Sequence, residues 1–356
     1  MLTRLKLMNF RCYSHFSWFV PEQGAIIIGD NARGKTSLLE AICFLLRLQS
    51  PRTSRLQPMQ KHGTQQFGVR GEISGQVHRL LWNAESLDLQ INGEPINDHR
   101  SYLSNSWPVV WLGNDDLTLV RTGADARRRY MDFVGAQWHP EYRLSLFNYR
   151  KILKTRNYLL KHKPGDKLQL DTWSQMLAVH GDKLSRLRNE LLTLLCPHII
   201  QAYAHISGQA EHISVEYQAS SASNSLYDHL CNELDRDIRY GQTQTGPHRD
   251  DLLIQLNGNP AAQFASEGQQ RSICIAMKLA QSALLCEETG RPPIHLIDDV
   301  FGELDPSRRL AFINALPPDS QSIITTTQLQ WMPKSQCPYP VFTLADGQLH
   351  PSIRES

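Results

Sequence analysis

One phosphate-binding pattern near the N-terminus constrains this chain more than any other feature. The pattern G-x-x-x-x-G-K-[ST] is matched by Gly29-Asp30-Asn31-Ala32-Arg33-Gly34-Lys35-Thr36, which Ser37 follows directly. An all-apolar run precedes it and apolar positions at helical spacing follow it, so we predict a strand, a loop and a helix in that order. In this arrangement backbone N–H groups surround phosphate oxygens at a helix N-terminus. Residues 29–37 are therefore predicted to bind a nucleotide, with Lys35 on the β- and γ-phosphates and the Thr36 hydroxyl on Mg²⁺.

A second apolar strand ends in two acids. It is Pro293-Ile294-His295-Leu296-Ile297-Asp298-Asp299. A phosphate-binding loop needs an acidic partner of this kind, because Mg²⁺ and the attacking water both require a carboxylate. We predict that Asp298 contacts Mg²⁺, directly or through its ligands, and that Asp299 orients or deprotonates the water. Lys35 and Asp299 are thus the candidate catalytic residues. The alternative is an ordinary strand that ends in a polar turn.

A third motif begins a later helix and has two interpretations. It is Ser266-Glu267-Gly268-Gln269-Gln270-Arg271. Ser266 and Gln269 have the spacing of a capping box, which is a purely structural role. However, Ser266, Gly268 and Gln269 also resemble the signature sequence of ABC-type ATPases. In those proteins the signature completes the nucleotide site of a second subunit, and the resemblance therefore implies a dimer with ATP between the subunits.

Two further segments follow the acidic strand. Residues 300–305 are similar to the dimer-interface loop of ABC-type proteins, which implies that Asp305 lies at a dimer contact; Asp305 also suits an Asp-Pro turn at the start of a helix. At 323–328, where many ABC-type proteins present a histidine to the γ-phosphate, this chain has none. Thr326 or Thr327 would offer a hydroxyl instead.

The periodicity of apolar residues divides the rest of the chain. Alternating stretches at 67–73, 77–82 and 87–91, followed by Asn92-Gly93, predict a small antiparallel sheet. A helical period from about 125 to 206, broken at 163–166, predicts a helical hairpin with arms of about 25 residues, or 35 to 40 Å, too short for a long coiled coil. We predict an α/β chain in which residues 1–120 and 240–356 form one lobe and 121–239 an inserted helical lobe, each boundary lying within about 15 residues.

Composition excludes several classes of protein. With 41% hydrophobic and 20% charged residues, the chain is neither disordered nor of low complexity. No apolar run approaches the roughly 20 residues that a membrane span needs, and polar residues interrupt the N-terminus, so we expect no membrane segment and a cytoplasmic location. Seven cysteines without a CxxC pair argue against a zinc site or a disulfide framework.

Positive charge is concentrated in the middle of the chain. Residues 121–200 contain fifteen Lys and Arg against seven Asp and Glu, which favours a polyanionic partner. Arg150, Lys151, Lys154 and Arg156 recur at helical spacing and are the candidate DNA-binding residues, although a solvated helix face has the same pattern. The Arg127-Arg128-Arg129 run is either a brace between lobes or a DNA contact, and Arg249-Asp250-Asp251 is either an internal ion-pair cluster or a DNA contact.

Taken together, these segments resemble the RecF family of bacterial DNA replication and repair ATPases along nearly the whole chain. The resemblance is carried by residues 7–11, 29–42, 50–53, 127–132, 149–157 and 245–251, with the signature and acidic segments. It departs at 111–116, where the usual Ser-Pro-Glu-Asp form is absent and no equivalent of the ABC-type Q-loop is assigned.

The resemblance implies a fold and a function. The fold is an ABC-type P-loop ATPase head, with a mixed sheet, an antiparallel β subdomain, an inserted helical second lobe and no long coiled coil. The implied function is an ATP- and Mg²⁺-dependent protein that dimerises on ATP, binds single-stranded and gapped DNA, hydrolyses ATP slowly, and helps RecO- and RecR-like partners to load recombinase. A nucleotide-gated clamp for partner proteins, with incidental hydrolysis, is the alternative. A transporter subunit is disfavoured by the arginine clusters and the missing histidine.

Overall fold

The chain forms two compact units. A computed structural model describes residues 1–208, 211–220, 225–329 and 337–352. The first unit comprises Met1–Asp115 and Gly290–Ser356, and the second comprises Asp116–Thr289. The first unit is therefore discontinuous in sequence and the second is continuous.

Fifteen strands occur in the described residues. They are β1 (Leu2–Phe10), β2 (Tyr13–Phe19), β3 (Gly24–Ile28), β4 (Gln66–Ile73), β5 (Gln76–Asn83), β6 (Leu87–Ile91), β7 (Glu94–Ile96), β8 (Val109–Gly113), β9 (Ile213–Gln218), β10 (Asp251–Leu256), β11 (Asn259–Pro260), β12 (Ile294–Asp298), β13 (Ser322–Thr326), β14 (Val341–Ala345) and β15 (Gln348–Pro351).

Eleven α-helices occur in the same described residues. They are α1 (Lys35–Arg47), α2 (His99–Ser104), α3 (Thr118–Arg121), α4 (Ala124–Trp138), α5 (Pro140–His162), α6 (Lys167–Ser207), α7 (Leu226–Asn232), α8 (Leu234–Tyr240), α9 (Ala261–Phe264), α10 (Glu267–Thr289) and α11 (Pro306–Ala315). Over the part of the chain that is described, no helix is both long and apolar enough to cross a lipid bilayer.

Two six-stranded sheets build the first unit. One is antiparallel, in the order β2-β1-β4-β5-β6-β7, and contains the predicted turn at Asn92-Gly93, where both residues have positive φ. The other has the order β15-β14-β3-β13-β12-β8, in which only β15 is antiparallel to its neighbour. Helix α1 contacts strands of both sheets and is buried along nearly all of its length. Because parallel strands share their carboxyl edge, β3 and β12 end close together with only β13 between them.

Long helices dominate the second unit. Helix α6 packs against both α5 and α10, and it also contacts β9 of a three-stranded antiparallel sheet in the order β11-β10-β9. The interior between these elements is apolar, with Leu177, Leu184, Leu191 and Leu195 of α6 fully or nearly fully buried. This unit therefore has a core of its own.

The second predicted domain boundary differs from this division. Residues 241–289 were expected in the ATPase lobe with the acidic strand, yet they belong to the second unit. The reason is long-range pairing: β10 forms its ladder with β9, and α10 lies along α6. The first boundary, predicted near 120, falls close to Asp115.

The predicted helical hairpin is present, but its second arm is longer than expected. Helix α5 has 23 residues and α6 has 41, with Pro197 inside it. A proline removes one backbone donor and normally ends or kinks a helix, yet α6 continues through Pro197 to Ser207. Burial of α6 against α5, α10 and β9 offsets that loss.

Three histidines, two of them buried and His248 half-buried, make the stability of the fold depend on pH. Burial lowers the pKa of His78, His248 and His295 from 6.5 to about 4. Between these values the unfolded chain binds protons that the folded chain excludes, so stability must fall as the pH drops from 7 to 4, by about 1.4 kcal/mol per pKa unit for each histidine. Urea unfolding at several pH values measures this slope. We expect His78→Leu to reduce the slope and His62→Leu, at an exposed position, to leave it unchanged; equal slopes in both variants would contradict the assignment.

Candidate nucleotide-binding site

The predicted phosphate-binding loop connects a buried strand to a buried helix. Strand β3 ends at Ile28, and α1 begins at Lys35 with Gly34 as its N-cap. Gly34 has φ +106°, and a Cβ atom there would lie 2.7 Å from Cys12 Sγ, so only glycine fits. Ala32 also has a positive φ, of 64°. The turn is therefore held in a conformation that ordinary residues avoid, as expected where backbone amides converge on a ligand.

Lys35 is folded back onto its own loop. Its Nζ donates to the carbonyl oxygens of Gly29 at 2.6 Å and Asp30 at 2.9 Å, and the residue is only 6% exposed. Burial lowers the pKa of Lys35, while the carboxylates of Asp299, Asp298 and Asp30 oppose that shift. A compact ammonium group with replaceable carbonyl partners is suited to contact incoming phosphate oxygens.

Thr36 meets the acidic strand, as the sequence predicts for a Mg²⁺ site. Its Oγ1 donates to Asp298 Oδ1 at 3.0 Å, and Thr325 of β13 donates to the same oxygen at 2.8 Å. The parallel register of β12 and β13 sets Asp298 beside Thr325. The two residues proposed as metal ligands are thus in direct contact although 262 positions separate them.

Asp299 is the next residue and has a strained backbone. Its φ is +52°, and its N–H donates to the carbonyl oxygen of Thr325 at 3.1 Å. The left-handed conformation costs energy in residues other than glycine, but Asp tolerates it better than most. The chain therefore turns sharply directly after Asp298.

Two contacts around the loop were not predicted from the sequence. Tyr13 donates through its hydroxyl to the carbonyl oxygen of Gly34 at 3.1 Å. Glu40 of α1 is fully buried and accepts hydrogen bonds from Arg11 at 2.5 and 2.8 Å and from Ser50 at 2.5 Å. These contacts attach the β1–β2 turn and the segment after α1 to the loop-bearing helix. The charged residue inside an otherwise apolar helix was the signal available in the sequence.

The proposed signature segment has the geometry of a capping box in the second unit. The N–H of Gln269 donates to Ser266 Oγ at 3.3 Å, and the N–H of Ser266 donates to Gln269 Oε1 at 2.7 Å. The capping-box interpretation of this motif is therefore confirmed. Ser266 is exposed and Gly268 half-buried at the start of α10, so the segment is also available to a second molecule.

Asp305 and Thr326 both take part in local structure. Asp305 caps α11, accepting from the N–H of Arg308 at 3.0 Å and from its guanidinium at 2.6 Å. Thr326 is buried, and its hydroxyl donates to the carbonyl oxygen of Gln328 at 2.9 Å. The Thr326 hydroxyl is therefore engaged in a hydrogen bond within a turn. Thr327 beside it is half-buried, and it is the better placed of the two threonines to offer a hydroxyl to the γ-phosphate.

The prediction of a DNA contact is wrong for one of the four candidate residues, Arg156. Arg156 is fully buried and donates to Ser174 at 2.8 Å, Asp237 at 2.7 Å and Thr243 at 2.7 Å. Its partners are distant in sequence, so helical spacing alone placed it on the wrong face of α5. Arg150 is 57% exposed but donates to Asp132 at 2.9 Å.

Lys151 and Lys154 lie on the exposed face of α5. Within the described residues neither has an ion-pair partner. Two aromatic side chains share this face, Phe147 at 65% and Tyr158 at 57% exposure. Cations interleaved with exposed aromatic rings are typical of surfaces that track a nucleic-acid backbone and stack on bases. We name Phe147, Lys151, Lys154 and Tyr158 the α5 face.

The two ambiguous arginine segments join in one internal network of the second unit. Arg127 forms a bidentate pair with Asp251 at 2.6 and 2.9 Å, and Arg128 donates to the carbonyl oxygen of Asp250 at 2.8 Å. Asp132 instead pairs with Arg188 at 2.8 Å. These contacts lie within one unit, so they form an internal ion-pair cluster rather than a brace between lobes.

The donor atoms at the loop suit Mg²⁺. A threonine hydroxyl and one carboxylate in contact are hard oxygen donors, and Mg²⁺ in phosphate-binding sites takes its other ligands from phosphates and water. No group of three or more His, Cys, Asp or Glu able to hold a metal is present among the described residues. Thr36 and Asp298 would therefore hold Mg²⁺ only together with a nucleotide.

The chain is similar to proteins of one family along nearly its whole length. Residues 1–350 match the profile of the family described as the RecF/RecN/SMC N terminal domain. Over 99% of its length the chain is 33% identical to the DNA replication and repair protein RecF of Picosynechococcus sp., of which 97% is covered. This chain belongs to the RecF family. The RecF of Moorella thermoacetica is 34% identical over 93% of the chain and 91% of its own length.

Solved structures show the same fold. A structure of the recombination mediator protein RecF with ATP, in the RecFOR pathway, matches with a TM-score of 0.88 and 28% identity over 99% of this chain and 97% of that one. An Smc head bound to the C-winged helix domain of ScpA matches with a TM-score of 0.56 and 14% identity, over 98% of this chain and 95% of that one. The predicted ABC-type ATPase head is thereby confirmed.

Proposed function

We propose that this protein is an ATP-dependent DNA-binding protein of replication and recombinational repair in the cytoplasm. It binds single-stranded and gapped DNA, dimerises on ATP, hydrolyses ATP slowly in a DNA-stimulated reaction, and helps load recombinase with RecO- and RecR-like partners. The observation that carries the proposal is the contact between Thr36 and Asp298, because it joins the phosphate-binding loop to the acidic strand, which are the two sides of a Mg-nucleotide site.

The residues of the loop have separate tasks. The backbone of 29–34 binds phosphate oxygens, and Lys35 exchanges its carbonyl partners for the β- and γ-phosphates. Mg²⁺, held by Thr36 and Asp298 with the nucleotide, would neutralise charge on the phosphates. Asp299 accepts a proton from the attacking water or orients it. Ser37, at the first turn of α1, adds a donor at the helix N-terminus.

Dimerisation is proposed from the position of the signature segment. Ser266, Gly268 and Gln269 are proposed to contact the γ-phosphate bound by a second copy, with Asp305 at the dimer contact. Exposure of Ser266 at the N-terminus of α10 supports this role, since the partial positive charge of a helix N-terminus attracts an anion. The capping box fixes the serine where a second molecule can reach it.

DNA binding is proposed at the α5 face, with Arg150 at its margin. Lys151 and Lys154 supply charge for phosphates, and Phe147 and Tyr158 supply surfaces for unpaired bases. Gapped duplex DNA presents both phosphates and unpaired bases. The alternative, a nucleotide-gated clamp for partner proteins, needs no DNA stimulation of ATP turnover, and a comparison of turnover with and without gapped DNA separates the two functions.

The function is tested by sedimentation of the purified chain with and without ATP, Mg²⁺ and gapped DNA. Asp299→Asn should slow hydrolysis by roughly 100-fold or more while preserving ATP binding, so the dimer should persist through the measurement. Asp319→Asn, at an exposed position of the same unit, is the matched control and should behave like the wild type. A chain that stays monomeric at saturating ATP in both variants would refute the dimer.

A further inference from the structure

Three cations form a continuous row on the outer face of the antiparallel sheet in the first unit. Side chains alternate along β1, β4 and β5, so the inner positions are buried and Lys6, Arg70 and Arg79 lie on the opposite face. The register sets Lys6 directly opposite Arg70, and Arg70 directly opposite Arg79. Like charges in directly paired positions destabilise a sheet. We name these three residues the cation row.

The charge of the row is not neutralised within the described part of the chain. Arg70 and Arg79 are exposed and Lys6 is half-buried, and none of the three has an ion-pair partner there. Two acids share the face, but Glu72 lies opposite Arg4 in the register and Asp88 lies opposite Leu81. The row therefore keeps a local positive charge at a cost to the sheet.

The row lies in a shallow groove of about 520 Å³. Gly68 lies in its floor and is paired in the ladder with Met8 on one side and Leu81 on the other. The side chains of these two neighbours cover the glycine, since Met8 Cε and Leu81 Cδ1 lie 3.5 and 3.6 Å from the place that a Cβ atom would take. His15 and Ser17 of β2 and Gln348 and Leu349 of β15 also line the groove. The groove thus combines the three cations with an apolar part of its floor.

The geometry suits an extended polyanion. Neighbouring strands are about 4.8 Å apart, so three cations on successive strands form a line of about 10 Å. A nucleic-acid strand carries one charge for every 3.4 Å or so of helix axis, which lets several phosphates lie along such a line. A protein interface typically has few charged residues in its core, whereas this face has three directly adjacent cations with no paired acid among the described residues, which favours a polyanion.

We propose that the cation row is a second contact surface for a nucleic-acid phosphate backbone, distinct from the α5 face. The inference rests on the DNA binding proposed above and assigns part of it to the antiparallel sheet of the first unit. Guanidinium groups of Arg70 and Arg79 bind phosphate oxygens, and the ammonium of Lys6 extends the track across β1.

The test measures DNA affinity against salt concentration for the full chain with ATP and gapped DNA. In the variant Arg70→Gln/Arg79→Gln, the slope of log affinity against log salt should become shallower by about 1.8, which corresponds to two lost contacts with duplex phosphates. The matched control is Arg100→Gln/Lys167→Gln, which removes two exposed cations elsewhere and should leave the slope unchanged. A benzophenone side chain in place of the exposed Ser17 should cross-link to DNA, and one in place of Ser86, in the β5–β6 turn, should not.

The outcomes separate this inference from the proposed function. If the wild type binds DNA with ATP but Arg70→Gln/Arg79→Gln has the wild-type slope and position 17 does not cross-link, the cation row is overturned and the proposed function stands. If the wild type binds no DNA under any of these conditions, both fail. Cross-linking at position 17 to added polyglutamate, but not to DNA, would assign the groove to an acidic protein and would also overturn the inference.

Discussion

Replacement of Lys35 by alanine is expected to abolish ATP binding at concentrations that saturate the wild type. The ammonium group donates to two loop carbonyls, and we expect it to donate to two phosphates when ATP is bound. Charge-assisted hydrogen bonds are each worth about 1.5 to 3 kcal/mol, so the loss of two should weaken binding by roughly 100-fold or more. Titration calorimetry with ATP and Mg²⁺ measures the change directly.

Arg33→Ala is the matched control inside the same loop. The Arg33 side chain is 56% exposed and, among the described residues, pairs only with Asp30, at 3.8 Å, so we expect this position to contribute its backbone rather than its side chain. Its affinity for ATP should stay within a few-fold of the wild type. Equal losses in Arg33→Ala and Lys35→Ala would mean that the loop acts through general positive charge, and wild-type affinity in Lys35→Ala would remove the loop from the nucleotide site.

Replacement of Arg156 by alanine is expected to destabilise the second unit by about 3 to 5 kcal/mol. The guanidinium links α5 to Ser174 of α6, to Asp237 of α8 and to Thr243, and the pair with Asp237 is almost completely buried. Removing the cation leaves the Asp237 carboxylate inside without its partner. Urea unfolding, combined with hydrogen exchange to assign the loss to residues 116–289, measures the effect.

Two comparisons make the Arg156 prediction specific. Lys154→Ala, on the exposed side of the same helix, should change the free energy of unfolding by less than about 0.5 kcal/mol. Arg156→Lys should not restore stability, because one ammonium cannot reproduce donors directed from Nε and Nη1 to three partners. A stable Arg156→Ala variant with weakened DNA binding would instead place this arginine on the DNA surface.

The nucleotide site was predictable from the sequence because each half of it is local. Residues 29–36 contain the whole turn that binds phosphate. Asp298 ends a strand that can be recognised from its run of apolar residues. Parallel strands in one sheet bring such ends together, so the contact between Thr36 and Asp298 follows from the fold class. The antiparallel sheet was predictable for a similar reason, since alternation and the Asn92-Gly93 turn act over a few residues.

Features that depend on distant partners were not predictable. Periodicity placed Arg156 on a solvated helix face because its acid, Asp237, lies 81 positions away. The second domain boundary differs from the predicted one because α10 packs on α6, and no local sequence pattern indicates that contact. The cation row could not be recognised from the sequence either, since Lys6, Arg70 and Arg79 become neighbours only through the sheet register.

The order of strands around β3 has a consequence for how the protein is made. Both neighbours of β3 in its sheet, β13 and β14, come from the C-terminal part of the chain. While the ribosome is still translating, the loop at 29–36 has left the exit tunnel but its strand has nothing to pair with, whereas the continuous unit 116–289 is already complete. A nonsense mutation before Ser322 would therefore yield a product that retains the whole phosphate-binding motif and yet has no scaffold to shape it.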